Sequence, residues 1–147
     1  MSPNFAVQDA KAEFLTWPGG PQLASLVAGQ TRSWTPQNDL QARYWSTTYP
    51  MAAVIEMMRL VKYVRASLPL RLEQSVLTIY SPADTVVDTG WIIKGFEQLD
   101  SRRKQLVEIA GSADQSNHIL AGDIMAPENN ASITDLISKF VLEGQVR

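Results

Sequence analysis

The stretch from Ser75 to Asp88, SVLTIYSPADTVVD, constrains this chain more than any other, because its fourteen residues hold an apolar run, a tight turn and two carboxylates. Val76, Leu77, Ile79 and Tyr80 are too continuously apolar for a strand with one face in water. They predict a strand covered on both faces, as in a parallel sheet. Ser81-Pro82-Ala83-Asp84 then ends the run. Pro82 fixes its own φ and keeps Ser81 out of the helical region, which places Asp84 just beyond the strand's carboxyl end. In open parallel sheets, ligands and catalytic side chains gather at that end. Asp84 is equally the residue type that shapes turns and caps helices. Asp88 suits the cap better, since it stands just before Gly90-Trp91-Ile92-Ile93-Lys94-Gly95-Phe96, where Ile92, Phe96 and Leu99 recur at helical spacing. The chain's one histidine, His118, follows at a distance that leaves room for one helix and one further strand.

At 147 residues the chain is the size of one domain, able to bury roughly 70% of the surface its unfolded form exposes. Hydrophobic residues make up 45% and charged residues 19%, an ordinary globular balance. A net charge of −2 and a pI near 5.3 give no electrostatic footprint for nucleic acid or an anionic membrane. Arg102-Arg103-Lys104 is too small a cluster to track phosphates and predicts a solvated helix-to-strand turn. The absence of cysteine excludes disulfides and a thiolate nucleophile, and with a single histidine leaves no ligand set for structural zinc. No metal or cofactor is expected. No run approaches the ~18–20 continuous apolar residues of a membrane span, and residues 1–20 show neither a basic nor an apolar signal region. The expected location is the cytoplasm.

Ser2-Pro3-Asn4 is the turn chemistry that follows a strand, so residues 1–13 are expected to be an extended segment of a fold cut short at this point. Residues 14–68 predict a helical, cap-like region with no strand. A short helix starts at Pro21, carries Leu23, Leu26 and Val27 on one face and closes at Gly29. A second has Thr35 as N-cap and Pro36 as its first residue, and reaches Tyr44-Trp45. The longest, about 50–66, follows Tyr49-Pro50 with Val54, Met57, Met58, Val61 and Val64 as its apolar stripe. Trp17, Trp34, Tyr44, Trp45 and Tyr49 crowd this region, and either fill space between small helices or wall a pocket. Trp17, Trp34, Trp45 and Tyr49 are the candidate pocket residues.

Residues 69–147 predict a strand at 75–80, a helix at about 89–100 and a strand at 105–110, one right-handed strand–helix–strand unit. The polar loop Gly111 to His118 lies at the second strand's carboxyl end, so Asp84 and His118 emerge from one sheet edge. A last helix is expected from Ser132, with Asp135 completing a capping box. It should bury Ile133, Leu136, Ile137, Phe140 and Val141 and end at Gly144.

This arrangement resembles the C-terminal part of an α/β-hydrolase, the serine esterase and lipase family. There an acid follows one strand in a small-x-x-Asp-x-x-Val turn, here Ser81-Pro82-Ala83-Asp84-Thr85-Val86-Val87. A helix, a strand and a histidine loop come next, here Ser116-Asn117-His118-Ile119-Leu120-Ala121-Gly122-Asp123. The resemblance implies an α/β fold: a partial parallel sheet of about two strands plus the N-terminal extended segment, with flanking helices and a helical cap. It further implies that Asp84 orients the imidazole of His118, that His118 serves as general base and acid, and that the ligand is an apolar ester or acyl group.

The family's Gly-x-Ser-x-Gly elbow is absent, since none of the glycines at 19, 20, 29, 90, 95, 111, 122 and 144 brackets a serine at that spacing. Ser81, Ser112 and Ser116 belong to the acid and histidine turns. Two expectations stand side by side. One is the acid–histidine part of a carboxylesterase whose nucleophile lies on a complementing N-terminal half. The other is a non-catalytic binding or oligomerisation module derived from that fold. Two strands with open edges also predict a homo-oligomer. A nucleotide-binding or receiver-like domain fits poorly, without Gly-x-Gly-x-x-Gly, a Gly-Lys-Ser/Thr loop or an acidic cluster.

Overall fold

The computed structural model of the chain describes residues 2–20, 22, 26 and 29–144. The helix expected from Pro21 falls largely outside the described residues. A 3-10 turn at Ala10–Thr16, capped by the Asp9 carboxylate on the Lys11 N–H, ends the N-terminal segment. β1 (Thr31–Ser33), α1 (Asp39–Tyr44) and β2 (Thr48–Pro50) follow, and α2 (Met51–Ala66) continues from β2 without a break. The remainder runs β3 (Leu70–Leu72), β4 (Val76–Tyr80), α3 (Thr89–Glu97), β5 (Leu99–Ser101), β6 (Lys104–Glu108) and α4 (Asn130–Gly144). β3 pairs in parallel with β5, and β4 with β6, Val76 lying opposite Lys104 and Tyr80 opposite Glu108. The architecture is mixed α/β, with short parallel sheets and flanking helices. No helix among the described residues is long and apolar enough to cross a membrane.

β4 explains its own composition. Successive side chains point to opposite faces, and both faces are covered. Ile79 packs on Leu120 and on Ile133 of α4, with Leu77, Ile109 and Leu136 around them. On the other face Tyr80 packs with Val87 and with Ile92 of α3, against Leu106. Ile79 and Tyr80 are only 2% and 1% exposed. The buried phenol of Tyr80 donates to the Glu108 carboxylate, which satisfies its polar tip. Burial, followed by that hydrogen bond and the charge of Glu108, pushes its pKa up to about 12.

The N-terminal segment is stapled to the turn that carries Asp84. The Gln8 N–H donates to the Val86 carbonyl, the Asp88 N–H donates to the Ala6 carbonyl, and Phe5 and Ala6 are buried. A Cβ on Gly95 would come within 2.5 Å of the Phe5 ring, so α3 needs a glycine where this segment crosses it.

Several expectations change in detail. Residues 14–68 do contain strands: β1 and β2 form an antiparallel ribbon, with the Ser33 and Thr48 hydroxyls 2.9 Å apart. The N-terminal segment gives way to the 3-10 turn at Ala10 rather than staying extended through residue 13. Asn38, not Thr35, caps α1, accepting from the Gln41 N–H at 2.8 Å, because the chain stays extended past Trp34, whose N–H pairs with the Thr47 carbonyl. In α2 the buried residues are Met51, Ile55, Met58 and Val61, while Met57 is exposed.

α3 stops at Glu97. The Lys104 ammonium binds the carbonyls of Phe96, Glu97 and Leu99, and the chain turns into β5. The basic run is therefore not simply solvated. Arg103 also reaches α4, donating to the Phe140 carbonyl, lying 4.0 Å from the Phe140 ring centroid and pairing with Glu143. α4 begins at Asn130 as a continuation of a 3-10 turn at Pro127–Asn129. Ser132 is thus inside the first turn, where its hydroxyl donates to the Asn129 carbonyl instead of capping. Ile133 and Phe140 are buried, but Ile137 and Val141 are 40% and 50% exposed. A sheet of two strands, ~5 Å apart, is too narrow to cover a wider stripe.

Candidate functional site

Local turn chemistry sets the position of Asp84. The Asp84 N–H donates to the Ser81 carbonyl at 3.2 Å, closing the turn that ends β4. Asp84 Oδ1 then accepts from the N–H groups of Val86 and Val87 at 2.8 and 3.0 Å. Both bonds fix the carboxylate's plane and leave Oδ2 aimed across to the loop after β6. There Oδ2 meets Nδ1 of His118 at 2.8 Å. The Asp84 side chain is wholly buried and that of His118 is 26% exposed. Turn former and histidine partner are therefore one residue, with one oxygen for each task. The two loops are also joined directly, since the Thr85 N–H donates to the Ser116 carbonyl at 2.9 Å.

The histidine loop is folded around Asp114, which is 1% exposed. Its Oδ2 accepts from the Ser116 hydroxyl and from the N–H groups of His118 and Ile119 at 3.0 and 2.9 Å. Its Oδ1 accepts from the Ser116 N–H at 3.2 Å and from Nε2 of Gln37 at 2.9 Å. Burial alone would raise this carboxyl's pKa, but the bonds from Ile119, Ser116 and Gln37 outweigh it and hold the pKa down at about 2. Asn117 takes φ 53°, a left-handed conformation that asparagine tolerates, and its Oδ1 accepts from the Ser112 N–H.

A cavity of about 270 Å³ lies over His118, walled by Trp34, Trp45 and Tyr49, with Arg32, Gln41 and Met125 among the other lining residues. The ribbon builds one wall. Arg32 stands directly opposite Tyr49 in the β1–β2 register, and alternation puts Trp34 on the same side as Arg32. The Trp34 and Trp45 rings meet edge to face, 6.2 Å between centroids. Trp17 is not part of the wall. It is 55% exposed and lies against Phe14, 4.8 Å between ring centroids.

Of the residues singled out from sequence, Asp84, His118, Trp34, Trp45 and Tyr49 thus come together. Asp114, Gln37, Gln41 and Arg32 were not foreseen. The local sign for Asp114 was Asp-x-Ser, the spacing at which an aspartate accepts from the backbone two residues on.

An imidazole whose Nδ1–H is held by a buried carboxylate presents Nε2 as a base. Among the described residues Nε2 has no hydrogen-bond partner, and no serine hydroxyl reaches it. No group of three or more His, Asp or Glu residues suited to a metal ion occurs among them. No family model, curated protein or solved structure matches the chain.

Proposed function

We propose that this chain carries the acid and base of a serine hydrolase acting on carboxylic esters, with Asp84 as the acid and His118 as the base. One observation carries the proposal: Asp84 Oδ2 lies 2.8 Å from His118 Nδ1, on loops that leave the carboxyl ends of paired parallel strands. Asp84, locked by two backbone donors, holds the Nδ1–H tautomer and stabilises the imidazolium that forms when Nε2 accepts a proton. Nε2 takes that proton from a hydroxyl nucleophile and returns it to the leaving group. The nucleophile comes from a complementing N-terminal half, because the chain has no Gly-x-Ser-x-Gly elbow of its own. β4 and β6 each have only one strand neighbour among the described residues, which offers such a half, or a second copy of the chain, an edge to join.

The absence of the elbow also favours a second reading, a non-catalytic binding or oligomerisation module derived from the same fold. p-Nitrophenyl acetate separates the two, since a held imidazole deprotonates water even without a serine. The expected result is hydrolysis faster than that by free imidazole at equal concentration. His118→Ala should remove the excess, and Asp84→Asn should lower it by about 10²-fold. An excess that survives His118→Ala sinks the assignment. A chain with no excess that still binds an apolar dye is the non-catalytic module.

A further inference from the structure

The character of the cavity is set by Arg32 as much as by the aromatic rings. Arg32 sits at the centre of β1, and the register aligns it with Tyr49 on the face that lines the cavity. Among the described residues no carboxylate lies within ion-pair distance of its guanidinium. The one carboxylate in the cavity lining, Asp114, is already committed to the donors of its own loop and to Gln37. A second donor is also open. Gln41 is 3% exposed and lines the cavity, and its Oε1 accepts from the Gln37 N–H at 2.6 Å. The amide NH₂ of Gln41 has no acceptor among the described residues, and it keeps some contact with solvent.

A cation without an ion pair and an amide donor without an acceptor in an aromatic frame call for an acceptor of negative charge on an apolar body. The volume, about 270 Å³, falls just below the range of ligand pockets, which run from ~300 Å³ upward, and limits the body to one or two rings. We infer that the cavity binds a small aromatic or apolar carboxylate, its anion toward Arg32 and Gln41 and its body against Trp34, Trp45 and Tyr49. Where the hydrolytic function holds, on which this extension rests, the substrate is an ester that carries such a carboxylate as a second group.

Calorimetric titration of the full chain with 2-naphthoate and with its neutral isostere 2-naphthamide tests the inference. 2-Naphthoate is expected to bind about tenfold tighter than the amide. Arg32→Gln, at an exposed strand position, should bring the two within about twofold while leaving the amide's affinity unchanged. His118→Gln should keep the preference for the anion while abolishing ester hydrolysis, so loss of one property does not imply loss of the other. Equal affinity for the two probes in the unaltered chain, no binding of either at millimolar concentration, or a preference that persists in Arg32→Gln overturns the inference.

Discussion

Asp114 shows how much of a site can be built by a residue marked in the sequence only by an Asp-x-Ser spacing. Five hydrogen bonds converge on it, and two come from the backbone of His118 and Ile119, so it sets where the imidazole starts. Its pKa falls from 3.8 to about 2 on folding. A carboxyl depressed in this way adds stability that is complete above about pH 4 and disappears as pH falls through 2, roughly 2 kcal/mol in all. Urea unfolding at stepped pH is expected to show this loss, and Asp114→Asn to flatten that part of the profile. Asp84 and His118 were legible because each depends on turn chemistry within a few residues. Asp114 offered only its local Asp-x-Ser spacing, because its Gln37 partner lies 77 residues away and the backbone donors of His118 and Ile119 carry no sequence signature.

Legibility among the elements followed length and the closeness of partners. β4, β6 and the start of α3 were found within a residue or two because their apolar runs are long enough to show a period, and Asp88 caps α3 through the Trp91 N–H as its position predicts. β1, β2, β3 and β5 have three residues each, too few for alternation to register. The end of α3 was misplaced because Lys104, which binds its last carbonyls, lies beyond the helix. Arg103 has a comparable role for α4. Arg103→Ala removes a carbonyl bond, a ring contact and an exposed ion pair, and is expected to cost about 1–2 kcal/mol. Hydrogen exchange should then quicken at residues 140–144 and stay unchanged in β4. An equal change in both would mean that Arg103 supports the whole fold rather than this helix end.

For the molecule as a whole, the parallel sheet that holds the buried strand β4 has only two strands among the described residues. Each has an edge with no strand neighbour among the described residues. The self-association proposed on that basis is expected to appear as concentration-dependent sedimentation, and a stable monomer throughout the micromolar range would refute it. The composition that promised a single buried core says nothing of this, because a sheet edge is a property of backbone groups. The cap side is joined to the histidine loop and the segment just after it by three polar links: Gln37 to Asp114 at 2.9 Å, the Gln115 N–H to Gln37 at 3.0 Å, and Asn38 to the Ile124 carbonyl at 2.8 Å. Lifting this aromatic roof would strip a buried anion of an amide partner and slacken the loop that aims the imidazole. Gln37 and Asp114 thus link the aromatic wall to the aim of the imidazole.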